Sequence, residues 1–336
     1  MIKGAIKKVT EGYDLMEQET YQAMKEIMEG EASDAQISSF LTALSMKGES
    51  VDEIFACAKV MREKAHSIRV PTTAVDLCGT GGDGLGTFNV STISSLVVAG
   101  TDVPVAKHGN RSVSSRSGSA DLMECLGVDI ELDPSDVERC IRDIGIGFMF
   151  APNFHGAMKH AIGPRRQIGI RTLFNLLGPL TNPGDVNHQL LGVYEESLTD
   201  FFAEVLKKFG VEHALVVHGS GLDELTITGR NKITEVKRGS ITSYHLVPEE
   251  LGFNRSEIDE IKAGSVARNV EIADSVLDGD DSPYRHMVLL NAGASLYAAD
   301  RVKDMEAGVE LAKKSIDSGR AKEKLDELID HTKGVN

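Results

Sequence analysis

Between Val75 and Ser119 the chain twice runs from a short apolar strand into a loop of glycine, serine and cationic residues, and few folds accommodate that repetition. Ala74-Val75-Asp76-Leu77-Cys78 has the length and apolarity of a buried strand. Five glycines follow within eight residues (Gly79, Gly81, Gly82, Gly84, Gly86), and a helix pattern starts near Asn89. A second strand, Val103 to Ala106, empties into Lys107-His108-Gly109-Asn110-Arg111, then Ser112, Ser114, Ser115, Arg116, Ser117, Gly118 and Ser119. A tight turn needs one such glycine; five let a backbone approach a ligand closely, and the helix N-terminus behind them adds partial positive charge. Such a surface suits a ligand carrying several phosphates.

From Ala74 onward strands and helices alternate, which predicts a mostly parallel sheet wrapped by helices. Further strands are expected at Ile146–Phe150 and Ala214–Val217, with an antiparallel ribbon over Thr226–Leu246 and helices from about Asn269 to Lys333. A basic helix is expected to run from the Gly163–Arg171 segment into Thr172–Asn175 and to stop at Leu177-Gly178-Pro179-Leu180-Thr181-Asn182-Pro183. The first seventy residues read instead as a small helical bundle. Asp14 with Glu17, Ser33 with Gln36 and Ser50 with Glu53 have capping-box spacing, and Gly30 and Gly48 stand where helices should end. The expected organisation is a helical domain over 1–70 and a large α/β domain over 74–336.

The net charge of −15 disfavours nucleic acid and anionic membrane as partners, and makes the local cluster Lys107, His108, Arg111 and Arg116 stand out. The four cysteines (Cys57, Cys78, Cys125, Cys140) have no zinc or CxxC spacing and read as buried reduced thiols. With no leader-like or bilayer-length apolar run, a cytoplasmic location is expected.

Gly79-Thr80-Gly81-Gly82-Asp83-Gly84 matches GxGxxG, but a dinucleotide site wants an acid at the end of the next strand, and Asp102 precedes that strand. No GxxxxGK[ST] is present. Asp223 and Glu224 lie at a strand mouth beside Gly219 and Gly221, where hard oxygen ligands next to a polyphosphate would take Mg²⁺. His155 and His160 lack metalloprotease spacing, His218 is expected to pack, and Cys78 to be a core thiol.

Gly79–Asp83, Asn89-Val90-Ser91-Thr92, Lys107–Ser112, Asn175–Pro183 and Gly221-Leu222-Asp223-Glu224, in this order, resemble the signatures of the anthranilate phosphoribosyltransferases, and the likeness spans essentially the whole chain. Gly156 departs from the proline common there. The resemblance implies an enzyme of tryptophan synthesis joining anthranilate to phosphoribosyl pyrophosphate, a hinged helical-plus-α/β fold whose small domain is joined by part of 165–190, and a homodimer formed through the small domain. It implies that Gly79, Gly82, Asp83, Thr87, Asn89, Val90, Ser91 and Thr92 hold the phosphoribosyl pyrophosphate. Lys107, His108, Gly109, Asn110, Arg111, Ser112, Val113, Ser114, Ser115 and Ser119 would close over the same ligand. Gly79, Asn110 and Arg165 would meet anthranilate. Ser91, Asp223 and Glu224 would hold two Mg²⁺ per subunit. Two other readings remain open: a pyrimidine nucleoside phosphorylase-like enzyme, which usually carries a further C-terminal domain, and a non-catalytic nucleic-acid-binding relative.

Overall fold

The computed structural model describes residues 1–111 and 117–334. Four helices come first: α1 (Ile2–Thr10), α2 (Glu17–Met28), α3 (Asp34–Lys47) and α4 (Val51–Lys64). The starts of α3 and α4 are the expected boxes, with Gln36 and Glu53 accepting from the Ser33 and Ser50 N–H groups. Asp14 does not cap α2. That helix opens later, with Glu19 accepting from Met16 N–H, and Asp14 pairs with Lys47 at 2.5 Å. The reason is the buried carboxylate of Glu53, which draws Lys47 inward at 2.9 Å and makes Asp14 part of that charge network.

The apolar stripes of α1–α4 close on Ile27, Phe40, Leu41, Leu44 and Ile54, and Leu173, Phe174, Leu177 and Leu180 from much later in the chain enter the same core. The expected basic helix is two pieces. Lys159–Ile168 ends at Gly169, whose φ of 68° is left-handed, and only Phe174–Leu177 resumes a helical turn. The core continues onto helix Leu198–Lys208 and one face of the sheet.

That sheet has seven strands: β1 (Val75–Gly79), β2 (Val105–Gly109), β3 (Ile146–Phe150), β4 (His188–Gly192), β5 (His213–Gly219), β6 (Asn231–Lys237) and β7 (Ser240–Leu246). Their order is β3-β2-β1-β4-β5-β6-β7; the first five are parallel, and β6 and β7 antiparallel. The ribbon is therefore shorter than expected. Thr226–Gly229 lies outside it, folded around Asn231, whose Oδ1 accepts from Thr226 N–H at 2.7 Å. The chain builds outward from β1 to β3 and then returns to the opposite side of β1 as β4. This leaves a topological switch point at the C-terminal ends of β1 and β4, where such sheets form a crevice. The other face is covered by α5 (Val90–Ala99), buried almost throughout, and by helices Pro283–Ala298 and Arg320–Lys333.

Of the free cysteines, Cys57, Cys78 and Cys140 are buried, but Cys125 is exposed, because it ends a short surface helix. No helix among the described residues is long and apolar enough to cross a membrane.

Candidate active site

Four neighbouring strands end in glycine, and three of them lie under one later segment: Gly79 on β1, Gly192 on β4 and Gly219 on β5. The segment carrying Asp223 and Glu224 crosses directly over these ends. A Cβ at Gly192 would fall on the Asp223 carbonyl, and one at Gly79 would lie against the Asp223 carboxylate and 3.0 Å from its carbonyl. At Gly219 it would meet the Glu224 carbonyl and come within 2.6 Å of Asn231 Oδ1. Only glycine admits the acidic pair at this height above the sheet.

The pair is strapped on both sides. Asp223 Oδ2 accepts from Gly81 N–H at 2.6 Å, and Glu224 Oε1 accepts from Ser91 N–H at 3.2 Å, in the first turn of α5. Burial, then the negative charge of Asp83, pushes Asp223 up to about 7; burial, then Asp223 itself, pushes Glu224 up to about 8. Beneath them Lys107 is only 2% exposed, its Nζ donating to the Leu77 carbonyl at 2.6 Å. Its charge opposes the rise at Glu224 and at the fully buried Asp76, which burial also raises. Asp76 Oδ1 accepts from His108 N–H at 3.3 Å, while Oδ2 has no hydrogen-bond partner among the described residues.

The α5 N-terminus is not capped by its own side chain. Asn89 exchanges hydrogen bonds with Ser117 instead, and its N–H donates to Asn269 Oδ1 at 2.8 Å; Val90 N–H donates to the Phe88 carbonyl. Thr92 Oγ1 is buried without a partner among the described residues. Thr87 bridges to Lys262, fixing the far end of the glycine loop, and Asp83 turns the loop by accepting from Leu85 N–H at 3.1 Å. At the end of β2, Gly109 packs against Ser119 and Phe148, and Ser119 Oγ donates to the Asn110 carbonyl. Asn110 Oδ1 accepts from Arg111 N–H at 2.7 Å. The Arg111 guanidinium is held by Glu124 at 2.8 Å and Asp121 at 3.2 Å. Ser112, Val113, Ser114 and Ser115 lie outside the described residues.

Burial drives two imidazoles toward neutrality, His108 well below the usual range and His155 to about 4. Their rings stand 5.2 Å apart, and both Nε2 atoms are buried without a partner among the described residues. Arg165 is part-buried over the Phe174 ring at 5.0 Å, and burial lowers its basicity, the condition of a cation with room for an anion. His218 packs as expected, bonding the Val193 carbonyl at 2.8 Å and accepting from Gly221 N–H. Cys78 is a core thiol facing Gln189, and burial raises it. The Leu177–Pro183 turn serves the sheet: Asn182 Nδ2 donates to the Ala106 carbonyl and Gln189 Nε2 to that of Pro179.

The family models and relatives bear on this geometry directly. Residues 3–65 match the helical bundle domain of a glycosyl transferase family, and residues 71–322 match the a/b domain of a glycosyl transferase family. Anthranilate phosphoribosyltransferase of Acetivibrio thermocellus is 49% identical over 335 residues, covering 99% of this chain and 97% of its own. The chain belongs to the anthranilate phosphoribosyltransferase family. The crystal structure of the Thermus thermophilus member superposes with a TM-score of 0.93 at 43% identity, covering 98% of this chain and 99% of that one. The Saccharomyces cerevisiae member, solved in complex with PRPP and Mg, gives 0.90 at 28% identity, covering 99% and 98%. These relatives carry neither the nucleoside phosphorylase name nor that of a nucleic-acid-binding protein.

The acidic pair fits a hard divalent cation. Two adjacent carboxylates that hold protons near neutral pH, through burial and mutual repulsion, are a donor set that a divalent charge would satisfy. Among the described residues no cluster of three or more such groups has ligand geometry, so phosphate and water oxygens would complete the shell. Sequence reasoning missed the roles of Gly192 and Asp76. Gly192 ends a strand that was not legible, and Asp76 gave no sign of its buried partner.

Proposed function

We propose that this chain transfers the phosphoribosyl group of 5-phosphoribosyl 1-pyrophosphate to the amine of anthranilate, releasing pyrophosphate. The observation that carries this is the acidic pair bonded simultaneously to the glycine loop through Gly81 and to the α5 N-terminus through Ser91, at the switch point of the sheet. In this reading Gly79, Gly82, Asp83, Thr87 and Asn89–Thr92 receive the phosphates, and Lys107–Ser115 with Ser119 close over them. Arg165 pairs with the anthranilate carboxylate beside Gly79 and Asn110. Ser91, Asp223 and Glu224 would hold two Mg²⁺, which when bound neutralise the pyrophosphate leaving group. Arg111 would exchange Glu124 and Asp121 for ligand oxygens.

The chemistry is substitution at the anomeric carbon. The C–N bond forms as the C–O bond to pyrophosphate breaks, and the amine loses its proton afterwards. An aromatic amine is neutral at pH 7, so the site needs charge stabilisation on the leaving group more than a strong base. The neutral His108 and His155 suit this, because imidazolium there would not favour an oxocarbenium-like ribose. Alignment of two bound reactants contributes about 7–11 kcal/mol at most. A homodimer through the bundle is part of the proposal, supported by exposed Tyr13, Met16 and Met46. A cytoplasmic location is supported by the free cysteines.

Loss of anthranilate fluorescence, followed with phosphoribosyl pyrophosphate and Mg²⁺ each omitted in turn, tests the reading. Consumption only with all three present is expected. No consumption, or phosphorolysis of thymidine or uridine in its place, would overturn it.

A further inference from the structure

Arg171 joins three parts of the molecule that are far apart in sequence. Its carbonyl accepts from Ser45 Oγ of α3 at 3.0 Å, its guanidinium lies 4.2 Å from the centre of the Tyr194 ring, and its Nη2 donates to the Gly82 carbonyl. Tyr194 is itself fixed to the loop, donating its N–H to Thr80 Oγ1 at 3.1 Å, while Thr80 N–H donates to the Gly192 carbonyl at the end of β4. Through its carbonyl and its guanidinium, one residue therefore ties the helical bundle, the segment after β4 and the middle of the glycine loop.

Gly82 has a φ of 82°, and a Cβ there would sit 2.8 Å from Arg171 Nη2, so the loop is shaped to receive this guanidinium. In a trans peptide the carbonyl and the following N–H point to opposite edges. Fixing the Gly82 carbonyl on Arg171 thus fixes the Asp83 N–H in the opposite direction, away from the guanidinium. A five-glycine loop free of this anchor would lose more backbone entropy on binding a ligand. Stacking and donation together require the planar fork of arginine, and lysine supplies only the donor.

We propose that Arg171 is a positioning residue for phosphoribosyl pyrophosphate, presetting the glycine loop from the helical side of the molecule; this rests on the substrate reading above. Arg171→Ala, Arg171→Lys and Tyr194→Leu would be compared with the parent in steady-state kinetics. Calorimetric titration with phosphoribosyl pyrophosphate and Mg²⁺, without anthranilate, would accompany them. Arg171→Ala is expected to raise the KM and Kd for phosphoribosyl pyrophosphate about tenfold, the scale of one hydrogen bond from a charged group. The KM for anthranilate should stay within about twofold of the parent. Arg171→Lys should fall between, and if the alanine variant fails to fold, the lysine variant carries the same test in calorimetry. Parent-like binding by the alanine variant, by the lysine variant in its place, or equal losses for both substrates, overturns the proposal. A parent protein that consumes no anthranilate would instead overturn the substrate reading.

Discussion

Asp223→Asn removes one of two like charges at the site while leaving an oxygen able to accept from Gly81 N–H. In the fold the Asp223 carboxyl is pushed from its ordinary 3.8 up to about 7, chiefly by burial and then by Asp83. A carboxyl raised by folding binds its proton more tightly in the native state. The metal-free parent therefore loses stability as pH rises from 3.8 to about 7, and the loss is complete above that. Converted in full, that rise corresponds to about 4 kcal/mol. Asp223 is only partly buried, and solvent screening reduces the expected effect to about 1–2 kcal/mol. The variant should melt about 1–3 °C above the parent at pH 8 without Mg²⁺, with a smaller difference at pH 5. Scanning calorimetry across that range reads the effect directly. Adding Mg²⁺ and phosphoribosyl pyrophosphate should reverse the order, because only the parent gains the stabilisation of the bound pair. A variant less stable than the parent at pH 8, or a difference independent of pH, would refute the electrostatic argument.

Arg165→Ala should lower kcat/KM for anthranilate by about 1.5–3 kcal/mol with little effect on phosphoribosyl pyrophosphate, as initial rates would report. Gly192→Ala puts a methyl on the Asp223 carbonyl and should cost about 1–3 kcal/mol in urea unfolding while raising the Mg²⁺ requirement for turnover. Gly156→Ala, where nothing lies within 4 Å, is the control that should match the parent. Lys107→Met leaves the buried Asp76 without its counter-charge and should destabilise by about 3–5 kcal/mol, measured by equilibrium unfolding at neutral pH.

The glycine loop, the Ser33 and Ser50 caps, β3 and the acidic pair were legible because each is written in contiguous residues whose spacing has a local cause. β4 was not. His188-Gln189-Leu190-Leu191-Gly192 lacks β-branched residues, and its place at the centre of the sheet depends on partners distant in sequence, including β1 and the Ala298 carbonyl. Asp14 misled for a similar reason: its capping spacing was sound, but a buried Glu53 and its Lys47 took priority. The left-handed Gly169 split a basic run whose composition favoured one helix. Within the site, groups that meet only in the fold stayed hidden, as with Asp76 beside Lys107 across β1 and β2 and Arg171 on the Gly82 loop, since such adjacency leaves no periodic trace in the chain.

A crystal structure with phosphoribosyl pyrophosphate and Mg²⁺ bound tests the central claim most directly. Pyrophosphate oxygens at the ends of β1 and β4, within reach of the glycine loop and the first turn of α5, with metal on Asp223 and Glu224, are the predicted result. Density for the sugar elsewhere on the molecule, with this crevice holding only solvent, would contradict it.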